Sequence, residues 1–261
     1  MNILDSYKNL FNLKGKIALV TGGAGGIGSA ISEGIASLGA EVIICGRDGK
    51  KTIDVANKII EAGGKARGKS LDITDIEKTN KFVESLDKHY GKIDILVNCV
   101  GIQIEAPAIE YRETDWDKIF DINLKSAFYL SQAVARVQIP KGGGKQIHIS
   151  SVRSKLGIHR GYIGYCTTKG GMNLMVKQLA TEWAQYNITV NAIAPTFIRT
   201  ELVAKYLDDP DFYNPLVKRI PLGRVGEPID IGGMAMYLSS PASDFITGQI
   251  IFADGGVTAC Q

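Results

Sequence analysis

The sequence is short of several things, and each shortage closes off a class of function. It has four cysteines, Cys45, Cys99, Cys166 and Cys260, widely spread and without a Cys-x-x-Cys pair. That pattern suits neither a disulfide framework nor a zinc ribbon, and reads as the reduced thiols of a cytoplasmic protein. The three histidines, His89, His148 and His159, offer no metal-ligand spacing, so no metal is expected. Charge is nearly balanced, 30 basic residues against 27 acidic, with no long run of one sign. Nucleic acid is therefore not an expected partner. No apolar run reaches the roughly 18 residues of a membrane span. The start, MNILDSYKNLFNLKGK, lacks the order and cleavage site of a secretion signal, so no membrane or export role is expected.

What is present is enough apolar sequence for a core, 45% of 261 residues, arranged in a regular alternation. Short β-branched runs stand at 16–21, 41–46, 66–72, 93–98, 145–150, 188–194 and 249–254. Helical patterns lie between them, at 27–39, 54–64 and 76–91 among others. Alternation of this kind predicts an α/β fold, a Rossmann-type doubly wound sheet of seven parallel strands with helices on both faces. Several runs are apolar throughout, as strands covered on both faces should be. No linker interrupts the pattern, so residues 1–261 are expected to form a single domain. Only 195–228 breaks the rhythm, and excursions that long are usually functional; a helical lid over a substrate site is expected there.

The first strand runs into TGGAGGIG, which places Gly22, Gly26, Ile27 and Gly28 ahead of the first helical pattern. Glycines in that position allow a tight turn and close approach of backbone to a pyrophosphate at a helix N-terminus. The spacing is G-x-x-x-G-x-G, and its place between strand and helix points to a dinucleotide. The second strand ends Cys45-Gly46-Arg47-Asp48. Gly46 falls where a carboxylate would hold the ribose of NAD, and Arg47 suits a 2′-phosphate, which favours NADP(H) over NAD(H). In the alternative, Arg47 stacks on adenine and Asp48 finds the ribose. Asp72, with Ile73 after it, either meets the adenine edge or caps the following segment.

Further on, YCTTK puts Tyr165 and Lys169 four residues apart, one turn along a helix face. By itself this equally describes a half-buried tyrosine and a snorkelling lysine. The surrounding motifs change the reading. TGGAGGIG, NCVG at 98–101, DINLKSAF at 121–128, ISS at 149–151, YCTTK, NAIAPTFIRT at 191–200 and the closing LSSPASDFITGQIIFADGG come in one order. In that order the chain resembles the short-chain dehydrogenases/reductases over essentially its whole length.

The resemblance implies an enzyme that transfers a hydride between a nicotinamide cofactor and a secondary alcohol or ketone. It implies four catalytic residues, Asn123, Ser151, Tyr165 and Lys169. It implies cofactor contacts at Gly22, Gly26, Ile27, Gly28, Arg47, Asp72, Ile73, Asn98, Gly101, Tyr165, Lys169, Pro195, Thr196, Ile198 and Thr200. A free tyrosine, with a pKa near 10, is a poor base at neutrality. Lys169 and the positive nicotinamide are expected to lower that value, so that Tyr165 takes the alcohol proton or returns it. Lys169 would also hold the nicotinamide ribose, Ser151 the substrate oxygen, and Asn123 a water leading from Lys169 to solvent. The family also implies a homotetramer paired through long helices, here at 114–137 and 163–185.

There are departures from the family pattern. Asn98-Cys99-Val100-Gly101 replaces the usual Asn-Asn-Ala-Gly, and Pro195-Thr196 the usual Pro-Gly. Ser151 and Tyr165 are 14 positions apart, one more than is common, which leaves Ser150 and Ser154 as rivals to Ser151.

For the substrate, the loop 151–164 carries Arg153, Lys155, His159 and Arg160 and no acidic residue, and the lid adds Arg199. Planar guanidinium groups suit a carboxylate, although the same residues could be solvated loop charges. Gln103, after the fourth strand, is a further candidate substrate contact. Phe197, Tyr206, Phe212 and Tyr213 either cover an apolar ligand or pack the lid. The texture around 101–128 and 194–202 resembles reductases of gluconate and other sugar acids, so a polyol, sugar acid or related hydroxy or keto compound is expected as the small-molecule substrate. A 3-oxoacyl thioester and a hydroxysteroid are the rivals within the same chemistry. A catalytically silent cofactor sensor is the rival outside it. An extended epimerase is not expected, since only seven residues follow Asp254.

Overall fold

The seven runs form seven strands in a computed structural model that describes residues 3–260, without the side chains of Lys8, Leu202 and Lys205. They are β1 (Ile17–Thr21), β2 (Glu41–Gly46), β3 (Lys65–Ser70), β4 (Ile95–Asn98), β5 (Gly144–Ile149), β6 (Ile188–Pro195) and β7 (Ile250–Ala253). All pair in parallel, in the order β3-β2-β1-β4-β5-β6-β7. The winding reverses between β1 and β4, and ligands of such sheets bind outside the strand ends at that crevice.

The helices are α1 (Ile3–Asn9), α2 (Gly26–Ser37), α3 (Gly49–Glu61), α4 (Ile76–Tyr90), α5 (Glu113–Phe120), α6 (Ser126–Gln138), α7 (Ile163–Trp183), α8 (Glu201–Leu207), α9 (Pro210–Val217) and α10 (Pro228–Ser239). Successive strand residues face opposite sides. Ala18 and Val20 of β1 pack with Ile31 and Ile35 of α2, Ile59 of α3 and Ile231 of α10. Ile17 and Leu19 pack with Val83 of α4 and with Leu130 and Val134 of α6, while α7 covers β6 through Val176 and Leu179. Among the described residues no helix is long and apolar enough to cross a membrane.

Two elements differ from the sequence expectation. Helix α3 starts at Gly49, earlier than the apolar pattern begins, because Asp48 caps it by accepting from Lys51 N at 3.1 Å. The stretch expected as one helix over 114–137 is broken by a π turn at Asp121–Lys125, where Ser126 N donates to Asp121 O. Such bulges recur at functional sites, and this one carries Asn123.

The excursion after β6 is helical, as the sequence suggests. Helices α8 and α9 close on Leu207, Ile220 and Val225, with Phe197, Phe212 and Tyr213 packed against them. Phe212 meets Phe197 and Tyr206 at centroid distances of 5.8 Å, so these aromatics are spent largely on one another.

Candidate active site

At the end of β1 the chain turns through Gly22, whose φ of +67° favours glycine. A Cβ there would stand 3.0 Å from the Cys99 carbonyl carbon and Val100 N, and one on Gly28 only 2.2 Å from Gly22 O. One on Gly26 would meet the Thr200 side chain at 2.6 Å. Gly25 caps α2 with no side-chain bond, which leaves the first-turn N–H groups open to an anion. This cradle fits the diphosphate of a dinucleotide. Gly23, which the sequence reading passed over, belongs to it too: a Cβ there would lie 2.9 Å from Val20 O.

The adenosine end is set by β2 and β3. Arg47 is exposed, and its guanidinium has no ion pair among the described residues. Asp48 is committed to the α3 cap, which leaves it less to offer a ribose. Asp72 Oδ1 accepts from Thr74 N at 3.0 Å and Thr74 Oγ1 at 2.7 Å, closing a local turn; the cap of α4 is Asp75 instead. Ile73 is buried beside it.

Asn98 ends β4 fully buried, with Oδ1 accepting from Thr21 Oγ1 at 2.9 Å and Val100 N at 3.1 Å. At Gly101 a Cβ would lie 3.3 Å from Lys169 Nζ and 3.6 Å from Asn123 Oδ1, so glycine keeps that corridor open. Asn123 Oδ1 accepts from Ile102 N at 2.8 Å, while Nδ2 donates to Ile102 O at 2.9 Å and Thr168 Oγ1 at 3.2 Å. One acceptor lone pair is left on Oδ1.

Tyr165 and Lys169 lie one turn apart near the start of α7, with Nζ 5.7 Å from the phenol centroid. Lys169 is 3% exposed and donates to Ile149 O at 2.6 Å. Burial pushes its pKa down to about 8. The phenol without cofactor is governed first by burial. Burial holds Tyr165 above its ordinary 10, against the downward pull of a hydrogen bond with Ser151 and of Arg153. In the protein by itself desolvation therefore wins over any help from Lys169.

Of the three candidate serines, Ser150 Oγ is committed to Asn173 Oδ1 at 2.6 Å and Ser154 Oγ to Ser151 O at 2.5 Å. Ser151 Oγ accepts from Arg153 N at 3.1 Å, and its own hydrogen remains for Tyr165 or a ligand. Pro195, the last residue of β6, and Ile198 after it are buried, Thr196 is half-buried, and Thr200 leans on Gly26.

The basic residues separate sharply. Arg160 forms a two-point bridge to Glu105, Nε–Oε1 and Nη2–Oε2 both 3.0 Å, and stands over Tyr162 and Phe212. Arg199 pairs with Glu227 at 3.2 Å and covers Tyr213. Lys155 lies over the Phe252 ring, His159 is exposed, and Gln103 is exposed with its amide 3.5 Å from Ile104 O. Arg153 alone is deep, 8% exposed, with Nη1 donating to Gly157 O at 3.0 Å and no carboxylate partner among the described residues. Around it are Tyr162, Tyr165 and Cys166, and Arg219 of the lid segment. The partners Glu105 and Glu227 and the neighbour Arg219 carried no local sequence signal.

Comparison with known proteins identifies the family. A family model described as enoyl-(acyl carrier protein) reductase matches residues 22–258. The chain is 40% identical over 254 residues to gluconate 5-dehydrogenase of Gluconobacter oxydans (strain 621H), covering 97% of this chain and 98% of that protein. It is 36% identical to 5-keto-D-gluconate 5-reductase of Escherichia coli (strain K12), over 95% and 98% of the two chains. A crystal structure of a gluconate 5-dehydrogenase from Burkholderia cenocepacia J2315, in complex with NADP and tartrate, superimposes with a TM-score of 0.92 at 37% identity, covering 97% and 99%. Fold, motif order and relatives together make this chain a member of the short-chain dehydrogenase/reductase family, an NAD(P)-dependent oxidoreductase acting on CH–OH and carbonyl groups.

Proposed function

We propose that the enzyme interconverts a hydroxyl and a ketone on a sugar acid with NADP(H), and that Arg153 receives the substrate carboxylate. One observation carries this reading. Arg160 and Arg199 each have an acidic partner, whereas Arg153 is buried beside Tyr165 and Ser151 with none among the described residues. A buried guanidinium without a counter-ion is unfavourable, and a bound carboxylate offsets that cost with a two-point hydrogen bond. The named activities of the relatives, on gluconate and 5-keto-D-gluconate, support the same class.

The nicotinamide, when bound, supplies or accepts the hydride. The chain supplies everything else. The Gly22–Gly28 turn would take the diphosphate, Arg47 the 2′-phosphate, and the 98–101 and 195–200 segments the nicotinamide half. During reduction Tyr165 would give its proton to the carbonyl oxygen, with Ser151 donating a hydrogen bond to the same atom. Burial keeps the phenol protonated at neutral pH, the form this direction requires. Lys169 would hold the ribose and pass a proton back toward Tyr165. Asn123 fastens Ile102 and has a lone pair for a water beside Lys169.

The test is absorbance of reduced nicotinamide, with NADPH and NADH in parallel. The ketones offered would be keto-sugar acids, neutral ketoses, a 3-oxoacyl thioester and a keto-steroid. Turnover of a keto-sugar acid, faster with NADPH, is the expected result, and Arg47→Asp should reverse the cofactor order. Turnover of the thioester or steroid alone would discard the sugar acid. No turnover of anything, with cofactor tightly bound, would leave the sensor.

A cytoplasmic homotetramer goes with this reading. Exposed apolar side chains such as Trp116 on α5, Leu174 on α7 and Ile229 on α10 would then be covered by partner chains. Light scattering should give four chains; a monomer would refute it.

A further inference from the structure

Behind the 98–101 segment lie two buried polar atoms, on opposite residues of neighbouring strands, that have no hydrogen-bond partner among the described residues. Asn98 and His148 are opposite residues of the β4–β5 pair, and both are fully buried. In parallel strands about 4.8 Å apart, opposite residues point to the same face. These atoms are Asn98 Nδ2 and His148 Nδ1, each without a hydrogen-bond partner among the described residues. The first is a donor, and the second is an acceptor when the ring carries its proton on Nε2.

Their remaining atoms are committed. Asn98 Oδ1 accepts from Thr21 Oγ1 and from Val100 N. His148 Nε2 lies 3.1 Å from Ser131 Oγ on α6. A reversed Asn98 carboxamide would aim an N–H at the Val100 N–H. Val100 N itself lies 3.0 Å from where a Gly22 Cβ would stand, and the next residue, Gly101, lines the corridor of Lys169 Nζ. The direction of this one carboxamide thus sets a wall shared by the glycine turn and Lys169.

We propose that His148 is a positioning residue for that wall: its Nδ1 answers Asn98 Nδ2 through one enclosed water and so fixes which way the Asn98 carboxamide faces. A buried water needs two or more polar partners, and this pair provides a donor to it and an acceptor from it. The arrangement requires a neutral imidazole. Burial, together with the nearby Lys169 ammonium, pushes the His148 pKa down to about 4, so the neutral ring is the working form. The inference rests on the cofactor reading only for its kinetic consequence.

Substitution can separate the two ring nitrogens. H148N keeps a polar atom near the Nδ1 position, facing Asn98, whereas H148Q keeps one near Nε2, facing Ser131. The KM for NADPH should stay within about twofold of native in H148N and rise about tenfold in H148Q and H148L, with kcat moved by less than about threefold. Equal damage in H148N and H148Q, or Gln doing better than Asn, would overturn the proposal. The native protein gives a readout independent of turnover. Nitrogen NMR of histidine-labelled protein, with the His148 signals identified by their loss in H148N, should show the Nε2–H tautomer at neutral pH. A proton on Nδ1 would sink the proposal whether or not the variants fold. The expected tautomer in a protein that turns over nothing would instead count against the proposed function.

Discussion

Tyr165→Phe is expected to lower kcat by about 10³-fold, the scale of a positioned acid–base group, while the cofactor dissociation constant stays within about twofold. The variant removes one oxygen and keeps the ring. That ring meets Tyr162 edge-on at 6.2 Å and lies under the Lys169 ammonium, so the surrounding packing should survive. What would be lost, on the proposed mechanism, is the proton that a ketone oxygen needs as hydride arrives. The same oxygen sets the pH behaviour. Because burial holds the phenol above 10, reduction should be flat through neutrality, and alcohol oxidation should climb as pH rises. Above about 8 Lys169 gives up its proton, and reduction should fall as the supply to Tyr165 fails. The two groups are close enough for these limbs to belong to the pair. Stopped-flow absorbance with NADPH measures the step, and cofactor fluorescence measures binding. A variant retaining a tenth of native kcat would remove Tyr165 from the chemistry.

Much of this was legible because it is local. Strand runs, the glycine turn and the four-residue spacing of Tyr165 and Lys169 are written in consecutive residues. Fold class follows from them, since a parallel sheet needs crossovers and the crossovers have helical periodicity. The π turn was not legible. Nothing in DINLKSAF distinguishes it from α-helix, and neither its Ser126 bond to Asp121 nor the contact of Asn123 with Ile102, 21 residues away, leaves a mark in the local pattern. The burial of Tyr165 was not legible for a similar reason. Sequence shows the lysine nearby but not the desolvation, which is a property of the assembled pocket. The sharpest failure concerns loop 151–164, where Arg153 and Arg160 look alike. They differ by a carboxylate 55 residues from Arg160, Glu105, which takes Arg160 and leaves Arg153 with no carboxylate among the described residues.

That difference leads to the second large effect. Arg153→Leu is expected to raise KM for a keto-sugar acid by about 100-fold, some 3 kcal/mol, the scale of a desolvated charge-assisted bond. A neutral ketose of the same length should change by no more than about threefold, because it never used the guanidinium. Leucine retains most of the apolar stem and gives up the bond to Gly157 O. Arg153→Lys should fall between, keeping charge but losing the planar fork. Arg160→Leu and Arg199→Leu are the controls. Their charges are already answered by Glu105 and Glu227, so they should not discriminate acid from ketose. Stability should move the other way. Burial already disfavours the charged form of Arg153, so Arg153→Leu should melt no lower than native, and higher if the lost Gly157 bond is small. Binding residues commonly carry such a cost, because a site complementary to its ligand is imperfect without it. The measured quantity is the ratio of kcat/KM for acid over ketose. A ratio unchanged by Arg153→Leu would mean that the carboxylate binds elsewhere, and that the buried guanidinium serves only to hold the loop at Gly157.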